Sequence, residues 1–388
     1  MIDFENTKIA FQNKSNRDLK RAHFLFNTLA RPAVVKTGKL FTNFALNTRF
    51  PIKWIVKPTV YMQFCGGETI EECDPVVQAM AKYNVKSILD YSVEGKEEPE
   101  EIQAALEETL RTIENAGKNE NIPFAVFKPT AFARSKVLEK ASSDQKLSED
   151  EQKEVNAFRT RINTLCGTAC NNDVPVLIDA EEVCYQYIID EVAREMMKKY
   201  NREKAIVFNT LQMYRWDRLD FLKKELETAQ KEGFQYGAKF VRGAYMEKER
   251  EWARKYGYLS PIHPDKASTD RDYDEALRFS VENIEKISIF NGTHNERSSL
   301  YLAELMEKHN IPSDDERIYF SQLYGMSDHV SYNLAHAGYN VAKYLPYGPV
   351  RNVMPYLIRR AEENTAVAGQ TNRELELIKK ELKRRKSQ

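Results

Sequence analysis

The spacing of apolar and polar positions divides the chain near residue 84. Before it the pattern is helical: Leu19, Ala22, Phe26 and Leu29 recur at three- and four-residue intervals on one face of a first helix, which Pro32 ends. After it, short apolar runs alternate with longer amphipathic ones. The short runs, read as strands, occupy 87–95, 124–132, 175–181, 205–214, 237–246, 288–295, 317–326 and 340–345. The amphipathic runs predict helices over 99–117, 148–166, 183–200, 214–231, 268–286, 296–309 and 327–338. Eight strand-then-helix units over about 280 residues match an α/β (β/α)8 barrel, which usually takes about 250. A doubly wound sheet is the rival architecture, but neither a Gly-x-Gly-x-x-Gly turn after the first strand nor a P-loop is present. The expected organisation is a helical region 1–83, a barrel 84–368 and a basic tail 369–388.

The polar residues sharpen this picture. Each short run opens apolar and closes in chemistry: Asp90 and Glu94, Lys128, Asp179 and Glu181, Gln212, Lys239 and Arg242, Thr293 and His294, Gln322, and Tyr344. Barrel enzymes build their sites from the C-terminal ends of their strands. The inventory is cationic, with Lys128, Lys239, Arg242, Arg359 and Arg360 only partly balanced by Glu94, Asp179 and Glu363. Such a cluster holds an anion or pairs internally. Gly243-Ala244 beside Arg242 gives a backbone that a planar group can approach closely. His294 reads either as a satisfied barrel histidine or, with Gln212 and Asn295, as polar lining for the ribityl or phosphate groups of a cofactor.

The last run leads into a turn at Gly348-Pro349 and a final barrel helix, with Asn352 as its expected N-cap and Pro355 in its first turn. Helical spacing puts Tyr356, Arg359, Arg360 and Glu363 on one side. That side is either a solvated face with an Arg359–Glu363 pair or a paired guanidinium clamp for a carboxylate or phosphate.

Formal net charge is zero, so no global field favours nucleic acid or an acidic membrane. Five cysteines, an odd number in a long chain, point to reduced thiols and a cytoplasmic location. Cys166 and Cys170 lack a second Cys or His pair, so no metal site is expected. The N-terminus lacks the pattern of a signal peptide, and the most apolar stretch, 51–65, is broken by Lys53, Lys57 and Pro58, so no bilayer span is expected. Leu375, Ile378 and Leu382 form a narrow stripe among basic residues. It reads as a frayed, solvated helix, with membrane docking as the alternative.

Four segments together resemble the proline dehydrogenase family: the run from Lys239 to Met246, Thr293-His-Asn295, Asp179-Ala-Glu181, and the block from Tyr344 to Asn364. The resemblance covers roughly residues 85–366. Lysine rather than arginine at position 239, and the helical N-terminal region, are similar to the eukaryotic-type branch. With no DNA-binding ribbon-helix-helix segment and no aldehyde dehydrogenase module, the chain resembles a monofunctional member.

The resemblance implies a distorted (β/α)8 barrel with FAD, oxidation of L-proline to Δ1-pyrroline-5-carboxylate, and electron delivery to a quinone through peripheral contact with the inner membrane face. By it, Arg359, Arg360 and Lys128 bind the proline carboxylate, while Ala244, Tyr245, Leu323, Tyr344 and Tyr356 line the pocket. Asp179 fixes the Tyr344 hydroxyl, and Glu94 pairs with Arg359 as a gate. Gln212, Lys239, Val241, Arg242, Gly243, Ala244, Thr293, His294, Asn295, Gln322, Arg360 and Glu363 hold FAD. Lys239 stands where other members place an arginine against flavin N5; lysine offers one charge-assisted bond there and no planar fork. Tyr344 fills the space where 4-hydroxyproline carries its extra oxygen, which favours L-proline over the alternative, hydroxyproline dehydrogenase. On the residues alone, a Schiff-base barrel lyase using Lys128 or Lys239 and a non-catalytic module that has kept the barrel stay open.

Overall fold

A computed structural model describes residues 2–31, 33, 36–37, 53–92, 95–143, 145–366 and 368–387, with the side chains of 55, 362–366 and 368–371 left out. Pro32 and Glu94, named above for a helix stop and a gate, lie outside the described residues, as does the side chain of Glu363.

Every expected strand forms: β1 Val85–Tyr91, β2 Ala125–Phe127, β3 Val176–Ile178, β4 Val207–Gln212, β5 Tyr236–Val241, β6 Ile287–Gly292, β7 Ile318–Leu323 and β8 Val341–Tyr347. They make one eight-stranded sheet in the order β1-β8-β7-β6-β5-β4-β3-β2. The register pairs Phe127 with Ile178, Lys239 with Phe290 and Ile88 with Tyr344, all in parallel. Each strand is followed by a helix, so this is the (β/α)8 barrel that the alternation predicts. β4 and β8 are buried at every position, as strands covered on both faces must be.

Boundaries differ from the pattern where backbone chemistry intervenes. The run 124–132 yields only three strand residues because Pro129 carries no N–H for a ladder and opens a 3₁₀ turn, Pro129–Ala131. Two helices had not been expected, Ser135–Ala141 and Met246–Tyr256. Helix starts follow local chemistry: Ser15 with Asp18 and Ser148 with Glu151 form reciprocal capping boxes. The five cysteines are free thiols.

The chain forms two compact units, Val93–Ser321 and Met1–Ser92 with Gln322–Gln388. In the first, Phe124 meets the rings of Phe208, Phe290 and Tyr319 edge-on at centroid distances of 5.6, 5.1 and 4.8 Å. In the second, a core of Phe26, Phe64, Val353, Leu357, Leu377 and Ile378 joins elements from both ends of the chain.

The expected frayed tail is instead a packed helix, Ala368–Lys386, against the helix Asn16–Leu29. Leu375, Leu377 and Ile378 are buried, and Leu377 makes the apolar stripe broader than Leu375, Ile378 and Leu382 alone. Glu381 is fully buried; it accepts from Thr7 Oγ1 at 2.9 Å and pairs with Arg384 at 2.8 Å and Arg385 at 2.7 Å. Basic residues that suggested solvation are thus partly spent on internal pairs, including Lys380 with Glu5 at 2.8 Å.

Candidate active site

In the unit Val93–Ser321 the strand ends gather around β5. Lys239 is buried in that strand, its Nζ 2.5 Å from Asp179 Oδ1. Asp179 follows β3 directly, and its amide donates to Phe127 O at 3.0 Å. The resemblance assigned Asp179 to the Tyr344 hydroxyl; the ion pair with Lys239 is a partner that sequence reasoning did not foresee.

Arg242 lies just beyond β5 with its guanidinium 4.3 Å from the centre of the Tyr273 ring. Nε and NH2 both donate to Asp270 Oδ1, NH1 donates to Thr293 Oγ1 at 2.8 Å, and NH2 donates to Ser298 Oγ at 3.1 Å. Ser298 Oγ donates onward to Asp274 at 2.6 Å. Asp270, Tyr273 and Asp274 share one face of the helix Lys266–Glu282 through i, i+3 and i+4 spacing. Burial pushes the Asp270 carboxyl up, but hydrogen bonds and charge from Lys266 and Arg242 outweigh it and hold the group below the ordinary carboxylate value. Asp270 escaped sequence reasoning because it sits inside a helix rather than at a strand end. The polar i, i+3, i+4 set was the signal available.

Gly243 has φ +121°, and a Cβ there would meet Tyr214 Cε1 at 2.5 Å. Only glycine fits, because the Tyr214 ring lies flush against its backbone. Tyr214, a second unforeseen neighbour, is held by its own amide, which donates to Arg242 O at 2.9 Å. Gln212 closes β4, fully buried, and its Oε1 has no hydrogen-bond partner. Asn295 serves as a helix cap: its Oδ1 accepts from Ser298 N at 3.1 Å, and its own amide donates to Thr293 Oγ1 at 3.1 Å. His294 and Lys128 are half-buried, and Lys128 stands at the start of the Pro129 turn. Thr130 in that turn donates to Glu181 from its amide at 2.8 Å and its hydroxyl at 2.6 Å, so Glu181 fixes the turn. Val241 is half-buried at the end of β5, Ala244 is exposed, and Tyr245 stands at the N-terminus of Met246–Tyr256.

The other unit holds the remaining residues. Tyr344 does not end its strand; it is the fourth of seven residues of β8, buried, with the strand running on to Tyr347. Tyr324 N donates to Tyr344 O at 2.9 Å, which sets the chain after Leu323 beside it. Gln322 Oε1 accepts from Ser331 Oγ at 2.7 Å. Gly348, at φ +134°, makes the expected turn, but the following helix Val350–Ala366 starts earlier than Asn352. Asn352 N and Val353 N both donate to Pro349 O, so Asn352 lies within the helix and Pro355 stands in its interior. Tyr356 and Arg360 are both buried, the guanidinium 5.2 Å from the ring centre, and Arg359 is half-buried. A buried Arg360 rules out the solvated-face reading for that position.

Behind these residues lies a buried charge cluster that sequence reasoning missed. Lys343, on β8, pairs with Asp328 at 2.8 Å and donates to Met326 O. Burial pushes the Lys343 ammonium down, and the nearby Asp328 only partly opposes this. Together they tie the turn after Leu323 to the strand that carries Tyr344.

Residues 73–373 match the family model described as proline dehydrogenase. The chain belongs to the proline dehydrogenase family. It is therefore an oxidoreductase of a family that acts on proline. Among its relatives, carbapenem antibiotics biosynthesis protein CarD of Pectobacterium carotovorum subsp. carotovorum is 36% identical over 83% of this chain and 83% of its own length. Hydroxyproline dehydrogenase of Xenopus laevis is 31% identical over 97% of this chain and 88% of its own. Among solved structures, proline utilization A (PutA) from Bdellovibrio bacteriovorus, inactivated by N-propargylglycine, superposes with a TM-score of 0.70 at 24% identity over 79% of this chain. The chain spans 32% of that longer protein, and the likeness shows the barrel fold. Among the described residues no helix is long and apolar enough to cross a membrane.

Proposed function

We propose that this member oxidises L-proline to Δ1-pyrroline-5-carboxylate, with FAD as its resident cofactor and a membrane quinone as the final acceptor. The observation that carries the FAD assignment is Gln212, a fully buried strand-end amide whose Oε1 has no hydrogen-bond partner. An orphaned acceptor of that kind costs about 1–3 kcal/mol unless a ligand donor meets it, and a flavin ring carries such a donor. At Gly243 the planar ring packed on the backbone is that of Tyr214.

Gln212, Lys239, Val241, Arg242, Gly243, Ala244, Thr293, His294, Asn295, Gln322, Arg360 and Glu363 would hold FAD. When bound, FAD supplies the two-electron acceptor for the hydride that leaves proline C5. Arg359 and Arg360 orient the substrate by its carboxylate, away from the reacting carbon, and the family pattern adds Lys128 to them. Tyr344 and Tyr356 give the ring apolar walls. Proline must lose its ammonium proton before its nitrogen can push electrons, so turnover rises with pH.

L-proline is preferred to hydroxyproline in this reading because Tyr344 is a buried, bulky wall residue. The hydroxyproline dehydrogenase relative keeps the alternative worth a direct test. The deciding experiment is the absorbance spectrum of the purified protein before and after L-proline under anaerobic conditions. The expected result is a flavin spectrum that bleaches. A colourless protein that takes up no added FAD, or a flavin that L-proline leaves oxidised, would overturn the proposal.

A further inference from the structure

The chain between Gly243 and His263 leaves the end of β5 and returns beside the end of β4. His263 N donates to Tyr214 O at 2.8 Å, Trp216 N to Pro261 O at 3.2 Å, and the Trp216 indole N–H to Ser260 O at 3.0 Å. The excursion is therefore rooted at the two strand ends that carry Gln212 and Arg242. Its tip is apolar and open to solvent. Leu259 is 81% exposed, Tyr256 65%, Trp216 51% and Tyr258 45%. Large apolar side chains that fill no core and cluster on one projection mark a contact surface.

The helix turn nearest the tip is basic. Arg254 and Lys255 form the last turn of Met246–Tyr256, with Lys255 Nζ 5.1 Å from the centre of the Tyr256 ring. An open depression of about 550 Å³ beside them is lined by Glu247, Arg250, Arg254, Tyr258, Leu259 and His263, with Arg250 paired to Glu247 at 3.7 Å. Of the acids on this helix, Glu249 is buried and accepts from Val183 N at 2.8 Å, while Glu247 and Glu251 sit in earlier turns.

We propose that this tip docks the protein on an anionic lipid bilayer, with Leu259 and the three aromatic rings at the interface and Arg254 and Lys255 on the headgroups. Tryptophan and tyrosine favour the headgroup level, where an apolar ring and a polar edge are both satisfied. Flanking cations add attraction to anionic lipid that salt screens. The inference extends the acceptor half of the proposed function, because a bilayer met at this tip lies on the side of the flavin-holding strand ends. Docking itself requires neither the substrate nor the acceptor assignment.

The test is co-sedimentation of the purified protein with phosphatidylcholine vesicles with and without phosphatidylglycerol, run beside turnover with a soluble dye. Wild type is expected to sediment with the anionic vesicles at low salt and to release at high salt. Leu259→Ser with Tyr258→Ser lowers partitioning about tenfold or more, and Arg254→Gln with Lys255→Gln lowers it about thirtyfold. Both pairs keep dye-linked turnover and circular dichroism unchanged, which separates lost docking from lost folding or lost catalysis. Lys383→Gln with Lys386→Gln, on the basic last helix, leaves docking intact. The proposal fails if wild type stays in the supernatant with every vesicle, or if the tail pair abolishes sedimentation while the tip pairs do not. It also fails if wild type sediments as a dimer that Leu259→Ser splits, which would make the tip an interface between copies.

Discussion

Arg242 places two nitrogens on one oxygen of Asp270, Nε at 2.9 Å and NH2 at 2.7 Å. With Thr293 and Ser298 taking further donors, the plane of the guanidinium is set before any ligand arrives. A cation held this way loses little rotamer freedom on binding. Asp270→Asn removes the charge from that support and should weaken FAD binding by about 1–2 kcal/mol, or roughly tenfold. Titration of stripped protein with FAD checks this. Unchanged affinity would mean that Arg242 does not hold the cofactor.

Gly243→Ala should destabilise the protein by about 1–3 kcal/mol, because φ +121° strains any side chain and the new Cβ meets the Tyr214 ring at 2.5 Å. In a Tyr214→Ala background the collision disappears while the backbone strain stays. The cost of the same substitution should therefore shrink without vanishing. Urea denaturation of the four proteins in that cycle measures it, and equal costs in both backgrounds would count against the contact.

Arg360, buried against Tyr356, should matter more than the half-buried Arg359. Each bond lost from a charged group costs on the order of 1.5–3 kcal/mol of transition-state stabilisation. Arg360→Met should lower kcat/KM for L-proline and also flavin content; Arg359→Met should lower kcat/KM alone. Wild-type kinetics in both would remove the clamp from the reading.

Tyr344 should set the choice of imino acid. Tyr344→Ser is expected to lower kcat/KM for L-proline and narrow the gap to 4-hydroxyproline, each effect on the order of 1–3 kcal/mol. Comparable kcat/KM for the two substrates in wild type would show that this residue is not the selector.

Glu381 should govern part of the acid sensitivity. Burial works to raise its carboxyl, but Arg384, Arg385 and Thr7 outweigh burial and hold it down at about 2, against an ordinary 4.5. The folded chain therefore gives up this proton more readily than the unfolded one. The stability it adds is complete above about pH 4.5 and is lost as pH falls toward about 2. Urea midpoints of wild type and Glu381→Gln should differ at neutral pH and converge near pH 2. A gap that stays constant with pH would assign the effect to packing instead.

The barrel was legible because its signal is redundant. Eight apolar runs alternate with helical periodicity, and each run ends in a polar residue at the position where a barrel puts its chemistry. Lengths were less legible, since Pro129 cuts β2 short through a missing donor, while β8 carries Pro346 and still runs on to Tyr347. Residues in the site's second layer were not legible. Asp270, Ser298 and Tyr214 reach the strand ends from helices and turns, and no linear pattern joins position 242 to position 270 or 298. Lys343 illustrates the same limit: a lysine within an apolar strand gives no sign of the aspartate that awaits it. The tail was misread because three apolar residues among many cations look solvated until the helix Asn16–Leu29 is set beside them.

The bond from Thr7 to Glu381 spans 374 positions of sequence. It has a temporal meaning for a chain made from one end. The unit Val93–Ser321 is one continuous stretch of chain, whereas Met1–Ser92 must wait for Gln322–Gln388. At 5–20 residues per second the ribosome needs about 15–60 s to make what lies between residue 92 and the last helix. During that wait the apolar faces of Phe26 and Phe64 lack the partners that Leu377 and Ile378 later bring. Nascent chains stalled before residue 370 should accordingly be cut by protease in the first 92 residues and resist it across 93–321. The early segment is thus the part of this protein most dependent on a chaperone's cover during synthesis.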